Sequence, residues 1–338
     1  MNAAAKEYDG RNKYIRITDI DETTSKYCND DVVSPSGELE DKYLVRENDI
    51  LFARTGASVG KTYHYDISDG KLYFAGFLIR GNVLSCYNSK FVFYQTQLSR
   101  YEKWVKVMSA RSGQPGINSQ EYEGFNLFMP TRFEQDKIES FISLLDRRIE
   151  VQSGLINKLE SLIGGIIERL TAQYPNVRIA DCLECHSSTL QENQLNETGG
   201  YRVYGANGIC GYTDSPGING DAILIVKDGS GVGNVSYAIG EYSVIGTSNF
   251  LTAKNGYSLR YLYYILKKFN FAPYKTGMAI PHIYFKDYGR AMVYCPSFEE
   301  QERIAKKLSK IERKTEIERS IKDCCIAQKQ YLLQQMFI

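Results

Sequence analysis

PTRFEQDKI at residues 130–138 and PSFEEQERI at residues 296–304 are one phrase written twice, 166 residues apart. The shift sets Pro130, Glu134, Gln135 and Ile138 on Pro296, Glu300, Gln301 and Ile304. It also sets Pro115, Ile117 and Tyr122 on Pro281, Ile283 and Tyr288, so the register holds for over twenty residues. Further upstream DILFARTGASVGKT (49–62) resembles DAILIVKDGSGVGNV (221–235), with Gly56, Val59 and Gly60 on Gly229, Val232 and Gly233 at a shift of 173. Each copy reads as an apolar strand running into a Gly-rich turn. After the proline a helix begins, with Glu134 or Glu300 in the first turn, where a carboxylate favours the positive end of the helix dipole. A search for repeats therefore divides the chain into two β-rich globules, each followed by a helix.

The helices are long. In the first, Ile138, Ile142, Leu145, Ile149, Ile156, Leu159, Ile163, Ile166 and Leu170 recur at steps of four and three, with Gln152 alone interrupting. That heptad spacing predicts a helix packed lengthwise against another. The second keeps Ile304, Leu308 and Ile311, then its stripe drifts to Ile317, Ile321 and Cys324 before Leu332 and Met336, which predicts a stutter or a looser pairing. A helix of about 33 residues is ~50 Å long, a ruler as well as a core.

Bulk composition narrows the function classes. A chain of 338 residues with 43% hydrophobic and 24% charged residues suits two soluble domains. It has no apolar run of membrane-spanning length and no secretory signal core, so a cytoplasmic protein without a membrane partner is expected. Eight scattered cysteines read as reduced thiols. A net charge of +1 argues against a polybasic nucleic-acid binder, so any such surface must be local or shared with partners. Twenty-six tyrosines beside one tryptophan permit a recognition surface, and equally permit sheets.

Several fragments imitate catalytic signatures and fail on spacing. Gly56-Ala-Ser-Val-Gly60-Lys61-Thr62 has three residues between its glycines where a phosphate-binding loop needs four, and the related turn has Asn234 and Val235 in place of Lys61 and Thr62. Gly229, Gly231 and Gly233 fail the dinucleotide fingerprint. Cys182-Leu-Glu-Cys185-His186 matches a haem-attachment pentapeptide without an export signal, and no second Cys/His pair completes a zinc site. The eight prolines include no adjacent pair, so the Asn/Asp-Pro-Pro-aromatic motif of a DNA adenine methyltransferase is missing. No catalytic residue, metal or cofactor is expected, and His64, His186 and His282 read as packing or surface residues.

The duplicated Pro-x-x-x-Glu-Gln helix starts, the Gly56–Gly60 and Gly229–Gly233 strand ends and the proline elements at Pro115 and Pro281 resemble the specificity subunit of a type I restriction–modification system. The resemblance covers nearly the whole chain. It implies that each β-rich target-recognition domain reads one half of a split double-stranded DNA target. It further implies that paired helices fix the spacer and carry the methyltransferase subunits, with pseudo-two-fold symmetry from one chain. One departure stands out: some 24 residues, Val177 to Gly200, precede the strand at Tyr201, but about a dozen precede the one near Tyr14. The opening segment of the first domain is thus expected to be truncated or naturally short.

The expected architecture is α+β, with two related target-recognition domains separated and joined by two long antiparallel helices forming a coiled coil. The domains fall at 1–130 and 173–295, the central spacer helix at 131–172 and the C-terminal spacer helix at 296–338. Base edges are read by Arg or Lys on guanine and Asn or Gln on adenine, presented from loops. The candidates are Arg54, Thr55, Ser58 and Lys61 with Arg111, Ser112, Gln114 and Asn118, and Lys227, Asp228, Ser230 and Asn234 with Lys275, Thr276, His282 and Tyr284. Phosphate contacts that carry no sequence information should outnumber base contacts among them. The expected partners are DNA with a split target, two methyltransferase subunits and restriction subunits. Two rivals remain open at this level: a coiled-coil adaptor that never touches DNA, and a P-loop nucleotide enzyme.

Overall fold

The computed structural model describes residues 1, 3–110, 113–277 and 280–337. They form two compact units, one of residues 1–152 with 320–338 and one of residues 153–319.

In the first unit β1 (Asp49–Ala53) is the centre of a three-stranded antiparallel sheet, flanked by β2 (Thr62–His64) and β3 (Leu78–Asn82). The strand is an apolar run because both its faces are covered. Leu51 packs with Ile15, Tyr63, Leu72 and Leu78, while its neighbour Ile50 points the other way, to Phe91, Tyr94 and Ile142. In the second unit β4 (Leu183–Ser187), β5 (Ala222–Val226), β6 (Val235–Ala238) and β7 (Ser248–Ala253) form an antiparallel sheet in the order β6-β5-β7-β4. Ile223 and Ile225 face one core and Ala222 and Leu224 another. A second four-stranded sheet is built around Tyr201–Gly205, which pairs antiparallel with Gly208–Thr213 and parallel with Glu241–Val244.

The register repeats. Ala53 lies opposite Leu78 as Val226 lies opposite Ser248. Gly76 N donates to Met1 O as Gly246 N donates to Leu190 O, both at 2.8 Å, so Met1 holds the place of Leu190. The first sheet has three strands among the described residues, and the second has a fourth, β4.

Each unit then adds helices: α1 (Ser89–Gln95) and α2 (Ser99–Met108) in the first, α4 (Leu259–Lys267) in the second, with the long α3 (Arg132–Thr171) and α5 (Phe298–Met336) shared between the units by segments. The duplicated Gln explains itself here. The Gln135 amide oxygen accepts from Asn88 N, at the start of α1, at 2.9 Å, and its nitrogen donates to Pro130 O at 2.8 Å. Gln301 does the same with Ser258 N at 3.0 Å, at the start of α4, and with Pro296 O at 2.8 Å. Both glutamines are 1% exposed. Each satisfies an orphan N–H of a short helix and a carbonyl of its own turn. Eleven residues further along each long helix, Tyr94 donates to Asp146 at 2.7 Å and Tyr264 to Glu312 at 2.8 Å. Burial pushes the Glu312 carboxyl up, but Tyr264, Lys267 and Arg260 outweigh it and hold the group below its ordinary range.

Within each unit the long helices run antiparallel. In the first, Asp146 of α3 pairs with Lys329 of α5 at 2.7 Å, and Ile142 shares a core with Leu333 and Phe337. In the second, Glu160 pairs with Arg319, and Ile167 shares a core with Ala305 and Leu308. Ile167 is the buried residue where the sequence pointed to Ile166. Of the stutter or looser pairing expected in the second helix, the structure shows one unbroken spacing that loosens: positions 301, 308 and 315 are buried, and 322, 329 and 336, still seven apart, are half-buried. Several are polar, which is why the apolar stripe drifted away from them. Cys325 and Leu333 are buried instead of Cys324 and Leu332, and Ile317 is half exposed, at 51%. All eight cysteines are free, and no helix among the described residues is long and apolar enough to cross a membrane.

Candidate nucleic-acid interface

At the end of β1 the chain makes a Gly-rich turn that is clasped by the proline loop. Gly56 N donates to Pro115 O at 3.0 Å and Ile117 N to Arg54 O at 2.9 Å. At the end of β5 the same clasp is built from Gly229 N to Pro281 O at 3.0 Å and Ile283 N to Lys227 O at 2.9 Å. Gly56, Gly60, Gly229 and Gly233 all have positive φ, between 73° and 93°. That left-handed backbone favours glycine, so these four serve geometry. At Gly60 the fit is also close: an added Cβ would stand 2.5 Å from Val105 of α2.

The clasps bring the two predicted loop sets of each unit together. In the first unit Arg54 is exposed, Thr55 bridges to Gly116, Ser58 lies half-buried in the turn, and the amide of exposed Gln114 lies over Gly56. Lys61 is ion-paired with Glu22 at 2.8 Å and also faces Asp21. To meet a phosphate it must exchange that partner. Asn118 also has a local role: its side-chain oxygen accepts from Glu121 N at 3.0 Å and caps the helix Ser119–Glu123. The signal for this, Asn-x-x-Glu, is a capping box in plain view of the sequence. Arg111 and Ser112 lie outside the described residues.

In the second unit Lys227 and Asp228 are half-buried, Asp228 bridges to His282, and Ser230 and Asn234 are exposed. Burial pushes the Cys185 thiol up to about 11, against a downward pull from Lys227. Thr276 and His282 exchange backbone hydrogen bonds at 2.9 and 2.8 Å, an isolated antiparallel bridge. Lys275 stands exposed just before it. Beyond it the Tyr284 ring, 48% exposed, meets the His282 ring edge-on at 5.4 Å and lies under Lys286 at 5.3 Å. Lys286 and the exposed Ile280 were not singled out from the sequence. Nor was α2, whose Val105 packs on the first turn and whose outer side carries Lys103 and Lys106. No local pattern ties that helix to the turn, because the contact is tertiary.

The geometry disposes of two imitations. In the Gly56–Lys61 turn the N–H groups of Gly56, Val59, Gly60 and Lys61 are all bonded to backbone carbonyls, so they cannot converge on a phosphate as a P-loop's do. Cys182 bonds to Arg178 O at 3.2 Å, while His186 stacks on Phe250 at 4.9 Å and bonds to Thr252 at 3.0 Å. The pentapeptide is thus a helix end running into a strand, with its side chains in separate environments.

The family model described as type I restriction modification DNA specificity domain matches residues 1–161 and again 173–324. Two solved structures share the fold. One is the crystal structure of a type I restriction–modification S subunit from M. genitalium, at a TM-score of 0.70 and 18% identity, covering 100% of this chain and 93% of that one. The other comes from work on complex assembly and conformational transition of a type I R-M system, at 0.53 and 16%, covering 96% and 90%.

Proposed function

We propose how DNA is read by this chain, starting from the fact that it belongs to the family of type I restriction modification DNA specificity domains. It is a DNA sequence-recognition subunit of a restriction–modification system, and it is non-catalytic. Each unit reads one half of a split target, with readers bounded at 1–130 and 173–295 and the helical segments 131–172 and 296–338 as spacers. Base edges are met from the clasped loops: Arg54, Thr55, Ser58, Lys61, Gln114 and Asn118 in one unit, and Lys227, Asp228, Ser230, Asn234, Lys275, Thr276, His282 and Tyr284 in the other. Arg111 and Ser112 belong to the same loop in sequence.

The observation that carries this reading is the clasp built twice, with the same two hydrogen bonds at the same distances. A strand end locked to a second loop is a rigid platform, and rigid presentation is what side chains need to discriminate bases. Methyl transfer and cleavage fall to partners, two methyltransferase subunits and restriction subunits, in the cytoplasm.

The test is to map methylated bases in DNA from cells carrying this chain with its modification subunits. A two-part motif is expected, and replacing residues 173–295 with another second domain should alter one part only. An uninterrupted motif, or a change in both parts, would overturn the split reading.

A further inference from the structure

Beside the first Gly-rich turn stands a small hairpin whose charges the reading of DNA leaves without a task. Ile20 bridges antiparallel to Tyr27, and Asp21 N donates to Lys26 O at 2.9 Å. Between them Asp21 Oδ1 accepts from Thr23 N at 3.0 Å and from Thr24 N and Oγ1 at 2.6 and 2.7 Å. The tip is thus fixed by its own hydrogen bonds, and it is tied down on two sides. The Glu22 carboxylate meets Lys61 Nζ at 2.8 Å, and Lys26 Nζ meets Glu150 of α3 at 2.8 Å.

The members of the Glu22–Lys61 pair stand in unlike surroundings. The Lys61 side chain is 21% exposed and that of Glu22 81%, so the carboxylate is the member free to swing into water. Asp21, which also faces Lys61, is occupied by the two threonines. A carboxylate oxygen 2.8 Å from an ammonium holds the place that a backbone phosphate oxygen would take, with the same sign of charge. An ion pair carries no net charge, so while it lasts Lys61 displaces no counterion from a duplex. The second unit has Asn234 at the corresponding position and no ammonium there to neutralise.

We propose that Glu22 is a brake on DNA binding by the first unit: it fills the phosphate position at Lys61 in the free chain and must be displaced before that ammonium meets a duplex. The proposal rests on the reading of the Gly56–Lys61 turn as a DNA contact. The brake weakens binding to target and non-target duplexes alike, because the contact it blocks is to a phosphate and carries no sequence information. Its consequence is a shorter stay on DNA that offers no matching base edges.

The experiment uses the full chain assembled with its modification subunits, and two duplexes, one carrying the mapped motif and one without it, titrated by fluorescence anisotropy over a series of salt concentrations. Glu22→Gln should tighten binding to both duplexes about two- to fivefold at low salt and steepen the slope of log K against log salt by about 0.9. Adding Lys61→Gln should abolish that gain, since Glu22 without its anchor turns into water and has no ammonium to release. Glu38→Gln removes the same charge from an exposed site of the same unit and should do neither. Salt-dependent binding by the parent with no gain in Glu22→Gln, a gain that survives Lys61→Gln, or an equal gain from Glu38→Gln would each overturn the brake and leave the DNA reading in place. A parent complex that bound neither duplex would refute that reading and the brake with it.

Discussion

Removing the buried amide at position 301 should destabilise the second unit more than almost any other single polar change. Gln301→Ala leaves Ser258 N–H and Pro296 O without their partners at 3.0 and 2.8 Å, in a place where the side chain is 1% exposed and water does not reach. A buried polar group stripped of its partner costs about 1–3 kcal/mol, so the pair costs about 2–4 kcal/mol. For a unit of this size that is a fall in Tm of about 6–12 °C. Urea unfolding of the whole chain would measure it, beside two controls. Gln301→Met keeps the volume and loses both bonds, and should behave like Ala. Gln301→Glu can still accept from Ser258 N but sets a second acceptor against Pro296 O, and should also fail. If Gln301→Met unfolded within 0.5 kcal/mol of the parent, a margin typical of a neutral surface change, the bonds would not be what holds α4 to α5. Gln135→Ala should show the same loss in the first unit.

Three further outcomes are expected. Gly60→Ala should destabilise by about 2–4 kcal/mol, since it adds a Cβ 2.5 Å from Val105 to a left-handed residue. Gly233→Ala should cost less, because its nearest neighbour would be at 3.1 Å, and equal losses in thermal melts would contradict this. His64 is half-buried beside Ser89, and desolvation first, then Lys90, lowers its pKa to about 4 from an unfolded value near 6.5. The unfolded chain then binds the proton more readily, so the stability is complete above pH 6.5 and is lost as pH falls towards 4, by about 3 kcal/mol. His64→Gln should flatten that part of the stability–pH curve, and an unchanged slope would show that His64 does not set it. Nucleotides should leave the melting temperature of the parent and of Lys61→Ala alike, because the turn's N–H groups are already bonded; a nucleotide-dependent rise lost on Lys61→Ala would revive the P-loop reading.

Much of this was legible in the sequence. The repeat itself, the helix starts at Pro130 and Pro296 and the glycines at 56, 60, 229 and 233 depend on local chemistry: a missing N–H, a dipole end, a positive φ. The capping box at Asn118, a residue also read as a base contact, was equally there to be seen. The role of Gln135 was out of reach, because its partner Asn88 is remote in sequence and only the packed helix brings them together. The second helix misled for a related reason. Its heptad positions hold Thr315, Lys322 and Lys329, and a pattern made of apolar residues cannot register a seam that polar groups occupy. Lys329 is tolerated there because Asp146 lies 2.7 Å away on the antiparallel neighbour.

The sequence by itself determined that there are two copies of one plan, where each helix begins and which turns need glycine, since these follow from interactions within a few residues. Only the tertiary structure decided that the turn and the proline loop are clasped and that Gln135 and Gln301 tie short helices to long ones. Those depend on hydrogen-bond partners far apart in the chain, and a one-dimensional pattern carries no distance between them.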